Sequence, residues 1–285
     1  MPTLIHRLKR RLARIFARAA KAQLGMAAAA VAFYGFLAVF PGIALVIALW
    51  SIAADPEAIR RELEILDDFL PPDAFSLLSG QVEALMAANS TELGWTTILS
   101  LLVAFWSARA GVAGMISGLN AVHHRPDHGS LRGTLLALVL TLGLISLALL
   151  ALVAALVVPL VISLLPLGAL TALALELANT AFLLALVVVS LGITYRFGPN
   201  RAEHHQRPPL LTVGLLVALV LWFVVSRGFV IYLANFNTYN RVYGSIGAVV
   251  ILLIWMYLSA YAVLFGAAVD AERAEVPEPG LPPVQ

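Results

Sequence analysis

One arginine, Arg109, stands near the middle of an apolar run at 93–122. A guanidinium at that depth is costly in hydrocarbon, so it must face protein, water or an anion. It is suited to hold the phosphate or carboxylate of an amphipathic substrate. Bonded instead to helix-end carbonyls, it is a structural group. Two further charges interrupt apolar runs: Glu176 in the run at 168–195 and Arg227 in the run at 210–233. At 1.5 Å per residue both lie roughly 9–12 Å below the same interface. Matched depth and opposite sign predict an ion pair between neighbouring helices, acting as a gate or as a plain clamp.

Other chemistry-bearing residues are sparse. His123-His124-Arg125-Pro126-Asp127-His128 approaches the His-x-His-x-Asp-His zinc motif of metallo-β-lactamase-type nucleases. It fails at the third position, where Arg125 replaces a ligand, and it lies between apolar runs, not on a strand-to-helix loop. Zinc needs three or four placed ligands with a second shell. His123, His124 and His128 are therefore weak metal candidates, and a solvated basic loop meeting lipid headgroups fits better. There is no cysteine, which excludes disulfides, thiolate zinc, iron–sulfur clusters and a Cys nucleophile. No Walker A motif, nucleophile elbow or paired-carboxylate signature is present, and no cofactor is implied. Phe229, Tyr232, Phe236, Tyr239 and Tyr243, interleaved with Asn235, Asn237 and Asn240, read most simply as an interfacial aromatic belt, though such surfaces also bind sugars or headgroups.

The elements that must carry these residues follow from composition. Hydrophobic residues make up 61% of the 285 and charged residues only 12%, against roughly a quarter in a soluble protein. So few polar residues cannot cover a water-soluble domain, which leaves an integral membrane protein. Apolar runs at 27–54, 93–122, 131–165, 168–195, 210–233 and 246–269 are each long enough to cross the hydrocarbon core. None alternates with period two, so helices are expected and not a β-barrel. The fold class is all-α, a polytopic protein with six transmembrane helices in a membrane domain at 25–272.

Basic residues set the orientation. The N-terminal segment holds Arg7, Lys9, Arg10, Arg11, Arg14, Arg18 and Lys21, and the even-numbered connections add Arg125, Arg132, Arg196, Arg201 and Arg207. The opposite side has Arg60, Arg61 and Arg241. Both termini are thus expected in the cytoplasm of a bacterial inner-membrane protein. The first apolar run is about twice the 7–15 residues of a signal h-region and reads as a retained helix. Residues 1–24 place Leu4, Leu8, Leu12, Ile15, Phe16 and Ala19 on one face and arginines on the other. They form either an interfacial helix that binds anionic headgroups or a basic tail that only sets topology. The loop at 55–92 predicts two short external helices, the first opened by Asp55-Pro56-Glu57 and stopped by Pro71-Pro72, the second carrying Phe75, Leu78, Val82 and Leu85. The proline-rich segment at 273–285 reads as a disordered cytoplasmic tail.

Several motifs resemble the YihY/BrkB family of inner-membrane proteins: Ala32-Phe33-Tyr34 with Phe40-Pro41, Gly118-Leu119-Asn120, Tyr195-Arg196-Phe197-Gly198-Pro199-Asn200, Tyr243-Gly244-Ser245-Ile246-Gly247-Ala248 and Trp255-Met256-Tyr257-Leu258-Ser259-Ala260. One departure is Val213-Gly214-Leu215, where the family usually has Pro-Gly-Ala, which bears on a kink there. The resemblance implies six helices with both ends cytoplasmic, and adds Asn120 to Arg109, Glu176 and Arg227 as a substrate-facing residue. Its links to serum resistance and envelope lipid export imply transport. The ribonuclease label that many members carry does not fit this chain. The expected function is a transporter or flippase-like exporter of an amphipathic, anionic lipid or envelope molecule, and not an enzyme. The alternatives are a membrane scaffold or assembly factor and, least favoured, a membrane-tethered metal-dependent ribonuclease. The expected partners are membrane lipids and a possible second copy of the chain, with no nucleic acid.

Overall fold

A computed structural model describes residues 2–53, 79–80, 90–127, 129–164, 168–200, 208–235 and 237–275. Every regular element among them is an α-helix: α1 (Pro2–Lys21), α2 (Leu24–Ala53), α3 (Ser90–Val122), α4 (Ser130–Leu164), α5 (Ala169–Phe197), α6 (Val213–Asn235) and α7 (Asn237–Glu275). Lipid offers no partner to a free backbone amide, so runs of this hydropathy close their hydrogen bonds within one segment. Five helices, α3 to α7, are long and apolar enough to cross a membrane, and the bent pair α1–α2 brings the number to six. Within that pair α2 is the apolar member: its 30 residues include no charge. The two external helices expected at 55–92, with Phe75 and Leu78, fall almost wholly outside the described residues, as do His128, Phe236 and the end of the C-terminal tail.

The helix boundaries follow local chemistry. α1 stops at Lys21 because Gln23 adopts a left-handed backbone, φ 49°, and the chain bends by 56° into α2. α7 is longer than the expected span at 246–269. It starts at Asn237, so Tyr239 and Tyr243 of the aromatic belt lie on a helix and not in a loop, with Tyr232 near the end of α6. It also runs on to Glu275, past the end of the expected membrane domain.

The chain forms two compact units. One comprises Met1–Ala28, Val112–Trp222 and Tyr261–Gln285, the other Ala29–Gly111 and Phe223–Ala260. In the first, α4 and α5 run alongside each other, and Ile116, Ala137 and Leu140 form a small buried cluster. Alanines recur among the other buried positions in this unit, including Ala28, Ala218, Ala267 and Ala268, alongside the fully buried Leu24, Leu119, Leu215 and Leu264, whereas Leu131, Leu170 and Val220 are exposed. Having so many small residues at buried positions, with so many large apolar ones outside, is unlike a soluble core. It is what helix pairing in lipid requires, because close backbone approach drives association there. Gly118 shows this within the first unit: a methyl built on it would come within 2.8 Å of Leu264 and 3.0 Å of Ala27. The hydroxyls of Thr141, Ser146, Thr180, Ser190 and Thr194 all donate to the carbonyl four residues earlier, which satisfies them inside their own helices.

Candidate functional site

In the first unit, polar groups collect where helix ends meet. The last four carbonyls of α3 lack intrahelical donors and need others. His124, at φ 51°, makes a left-handed cap. Arg125 N then donates to Asn120 O at 2.8 Å and His124 N to Ala121 O at 3.2 Å, the paired 6→1 and 5→2 bonds of that cap. Leu119 O accepts from His123 N and lies 2.9 Å from its Nδ1. The fourth carbonyl, Val122 O, accepts from Arg18 Nη1 at 2.9 Å. His123 and His124 thus finish a helix. A carbonyl only accepts, so this contact needs the proton on His123 Nδ1 and leaves Nε2 as the acceptor of the ring. Among the described residues no group of three or more His, Cys, Asp or Glu is placed to hold a metal ion; His128 lies outside them.

Arg18 is the centre of a second contact. It is 7% exposed, and its Nη2 lies 3.7 Å from Glu272 Oε2, while Arg14 Nε lies 2.6 Å from Glu272 Oε1. One carboxylate on α7 therefore bridges two arginines one turn apart on α1. The Phe16 and Phe265 rings meet beside it, tilted by 52° with centroids 5.3 Å apart. The same helix end holds Asp270, whose Oδ1 accepts from Gly214 N at 2.6 Å. Gly214 is in the first turn of α6, where free amides and the helix dipole favour an anion. Thr212 caps that turn as well, accepting from Leu215 N at 3.1 Å. Thr212→Ala is expected to cost about 1 kcal/mol, read as a lower melting point of the purified protein in detergent. The family departure Val213-Gly214-Leu215 therefore falls on the first three helical positions, where a proline starts a helix and does not kink it.

Two of the family-like motifs meet in this unit. Asn120, 1% exposed, donates from Nδ2 to Asp127 Oδ1 at 3.0 Å and accepts at Oδ1 from Asn200 N at 2.7 Å. Asn200 Nδ2 in turn donates to Pro126 O at 3.1 Å. Both ends of the Asn120 amide are thus engaged by protein, and the loops after α3 and α5 are tied together. Tyr195, from the same motif as Asn200, donates its hydroxyl to Val263 O on α7. Sequence reasoning missed Asp270 and Glu272. The signal was available: two acids in the last turns of α7 oppose the helix dipole and call for cationic or amide partners.

The second unit holds Arg109, half-buried on α3, with its guanidinium 5.2 Å from the centre of the Trp106 ring. Trp106 is 67% exposed. Among the described residues Arg109 has no carboxylate partner. Arg227 is exposed on α6 and lies 5.2 Å over Phe223. Trp255 Nε1 donates to Ser226 Oγ at 3.3 Å, linking α6 to α7 in this unit. Glu176 is exposed on α5 in the first unit; its pairing with Arg227 stays an expectation from the sequence.

The model of the family described as "Virulence factor BrkB" matches residues 15–283, and the chain belongs to that family. A "UPF0761 membrane protein" of Xanthomonas oryzae pv. oryzae (strain PXO99A) is 38% identical over 91 residues, 32% of this chain and 21% of the relative. A "UPF0761 membrane protein" of Xanthomonas campestris pv. campestris (strain 8004) is 39% identical over 93 residues, with the same shares covered. The chain thus spans about a fifth of the length of the curated relatives it matches. No solved structure matches it. The protein is a multi-pass bacterial membrane protein.

Proposed function

We propose that this BrkB-family membrane protein carries an amphipathic, anionic lipid or envelope molecule across the bacterial inner membrane, with both termini in the cytoplasm and without bond-breaking chemistry. The observation that carries this reading is Arg109. It is a permanent cation near the middle of a membrane-crossing helix, half-buried, and stacked on an outward-facing indole. Such a charge is retained at mid-bilayer at a cost, and an anionic headgroup compensates it. The exposed Trp106 beside it offers an apolar face to the acyl part of the same molecule. Glu176 and Arg227 would act on the external half of the path. With no nucleotide-binding motif, movement draws on an ion gradient, a partner ATPase or downhill scrambling.

The test is a transbilayer assay in liposomes, using fluorescently tagged phosphatidylglycerol and a membrane-impermeant quencher. The native protein is expected to move the lipid several-fold faster than protein-free liposomes. Arg109→Ala should cut that rate by about tenfold to a hundredfold, the worth of one charge-assisted contact of about 1.5–3 kcal/mol. Arg109→Lys should retain part of it. A native protein no faster than empty liposomes overturns the transport reading. Full activity in a folded Arg109→Ala protein removes Arg109 from the path and favours a scaffold.

A further inference from the structure

The helix α1 presents three different sides, and their order around the axis is informative. With 100° between successive residues, Ile15, Arg18, Ala19 and Ala22 share one side and are all buried. Leu12 and Phe16, one turn apart, lie on the next side round and are 44% and 59% exposed. Arg10, Arg14 and Lys21 lie opposite that apolar strip and are exposed. One side of α1 is therefore docked on protein, while an apolar strip and a basic strip face away from each other on the two flanks.

A soluble helix docked on its own protein has no reason to keep the Leu12–Phe16 strip in water. A helix inserted through the bilayer could not carry the basic strip. The arrangement fits a helix lying along the membrane surface, with Leu12 and Phe16 down among the acyl chains and the arginines up at headgroup level. The 56° bend at Gln23 directs α1 away from the axis of the spanning helix α2, as such a placement needs. Lys9, exposed on the edge of the apolar strip, has a stem long enough to bring its ammonium back to the headgroups. We propose that the flanks of α1 form a binding surface for an anionic lipid leaflet, held in place by the Arg14–Glu272–Arg18 bridge. The occupant is the bilayer itself. Its chemistry is read from charge complementarity, since the flank opposite the apolar strip is exposed and basic, Lys9 stands on the edge of that strip, and Glu272, the acid beside Arg14, is already engaged. The inference does not rest on Arg109 or on transport.

The chain has no cysteine, so single thiols can be introduced without background. Leu12→Cys and Lys21→Cys, each carrying a nitroxide label on the full-length protein, report depth in nanodiscs through collisions with oxygen and with a neutral nickel complex. In discs of phosphatidylcholine with phosphatidylglycerol, the label at 12 should be oxygen-accessible and nickel-shielded, and the label at 21 the reverse. In discs of phosphatidylcholine alone, or after Lys9, Arg10 and Lys21 are all changed to Gln, nickel collisions at 12 should rise at least twofold. A label at 12 that is equally aqueous in both lipid mixtures overturns the proposal. So does one equally deep in both, which denies the anionic preference, and so does one shielded from both reagents, which indicates a protein partner.

Discussion

Gly214→Ala should leave little folded protein to purify. A methyl built on Gly214 overlaps the carbonyl oxygen of Gly266 and the carboxylate of Asp270. The first of these is backbone and cannot rotate away. The same methyl would push Asp270 off the Gly214 amide, to which it is bonded at 2.6 Å. Gly266 is equally constrained, since a methyl there would meet Gly214 O, Ala218 at 2.7 Å and the Tyr195 hydroxyl at 2.7 Å. Overpacking of a rigid seam costs about 1–3 kcal/mol. A lost hydrogen bond to a charged acceptor adds about 1.5–3 kcal/mol. Together they predict a loss of about 2.5–6 kcal/mol, or a fall of roughly 10 °C in melting point. Gly228→Ala is the control on the same helix. Among the described residues nothing lies within 4 Å of a methyl at Gly228, so that variant should melt at or slightly above the native temperature, since alanine is the better helix former by up to about 1 kcal/mol. Size-exclusion profiles and thermal unfolding of the two variants in one detergent separate these outcomes. A Gly214→Ala protein as stable as native would show that α6 and α7 do not approach closely there.

The bridge between α1 and α7 carries the second large effect. Arg14 and Arg18 both reach Glu272, but their worth differs because their surroundings differ. The Arg14 side chain is 55% exposed and that of Arg18 only 6%. Arg14→Gln is therefore expected to cost within about 1 kcal/mol, as for other solvated pairs. Glu272→Gln leaves a buried guanidinium without its counter-charge and is expected to cost about 3 kcal/mol. The double change Arg18→Met with Glu272→Gln should recover about half of that loss, because no uncompensated charge remains, while Val122 O loses its donor. Additive losses in the double variant would argue that the two residues do not interact. Raising salt should weaken the native protein only as far as Arg14 contributes, since screening barely reaches a buried pair.

The apolar runs were enough to announce an all-α chain with five to six helices able to cross a membrane, because the bilayer imposes both a length and a hydrogen-bonding rule on them. α4, expected at 131–165 and observed as Ser130–Leu164, is set by that rule alone. α7 is different. Its first turns, from Asn237 to Ser245, carry no spanning signal and are rich in weak helix formers, so neither hydropathy nor local propensity marks the helix there. The site was legible in part. Arg109 stands out because a charge in hydrocarbon is an anomaly visible in one dimension. The role of Arg18 was hidden for the opposite reason. Charges near a membrane surface are ordinary, and only the fold shows that Arg18 is sequestered while its neighbour Arg14 is not. The histidine-rich stretch after α3 resembles metal chemistry in composition, yet the need to finish a helix accounts for His123 and His124 where they stand.

The alanine-and-glycine seams have a practical corollary. Many bulky side chains, among them Leu131, Leu170 and Val220, point outward, away from these close contacts. The surface that meets oil and the surface that specifies assembly are thus written with different residues. Exchanging the outer layer for glutamate, lysine and glutamine would leave the Gly214–Gly266 crossing and the Gly118 contact untouched, which makes this chain a candidate for conversion into a water-soluble analogue of itself.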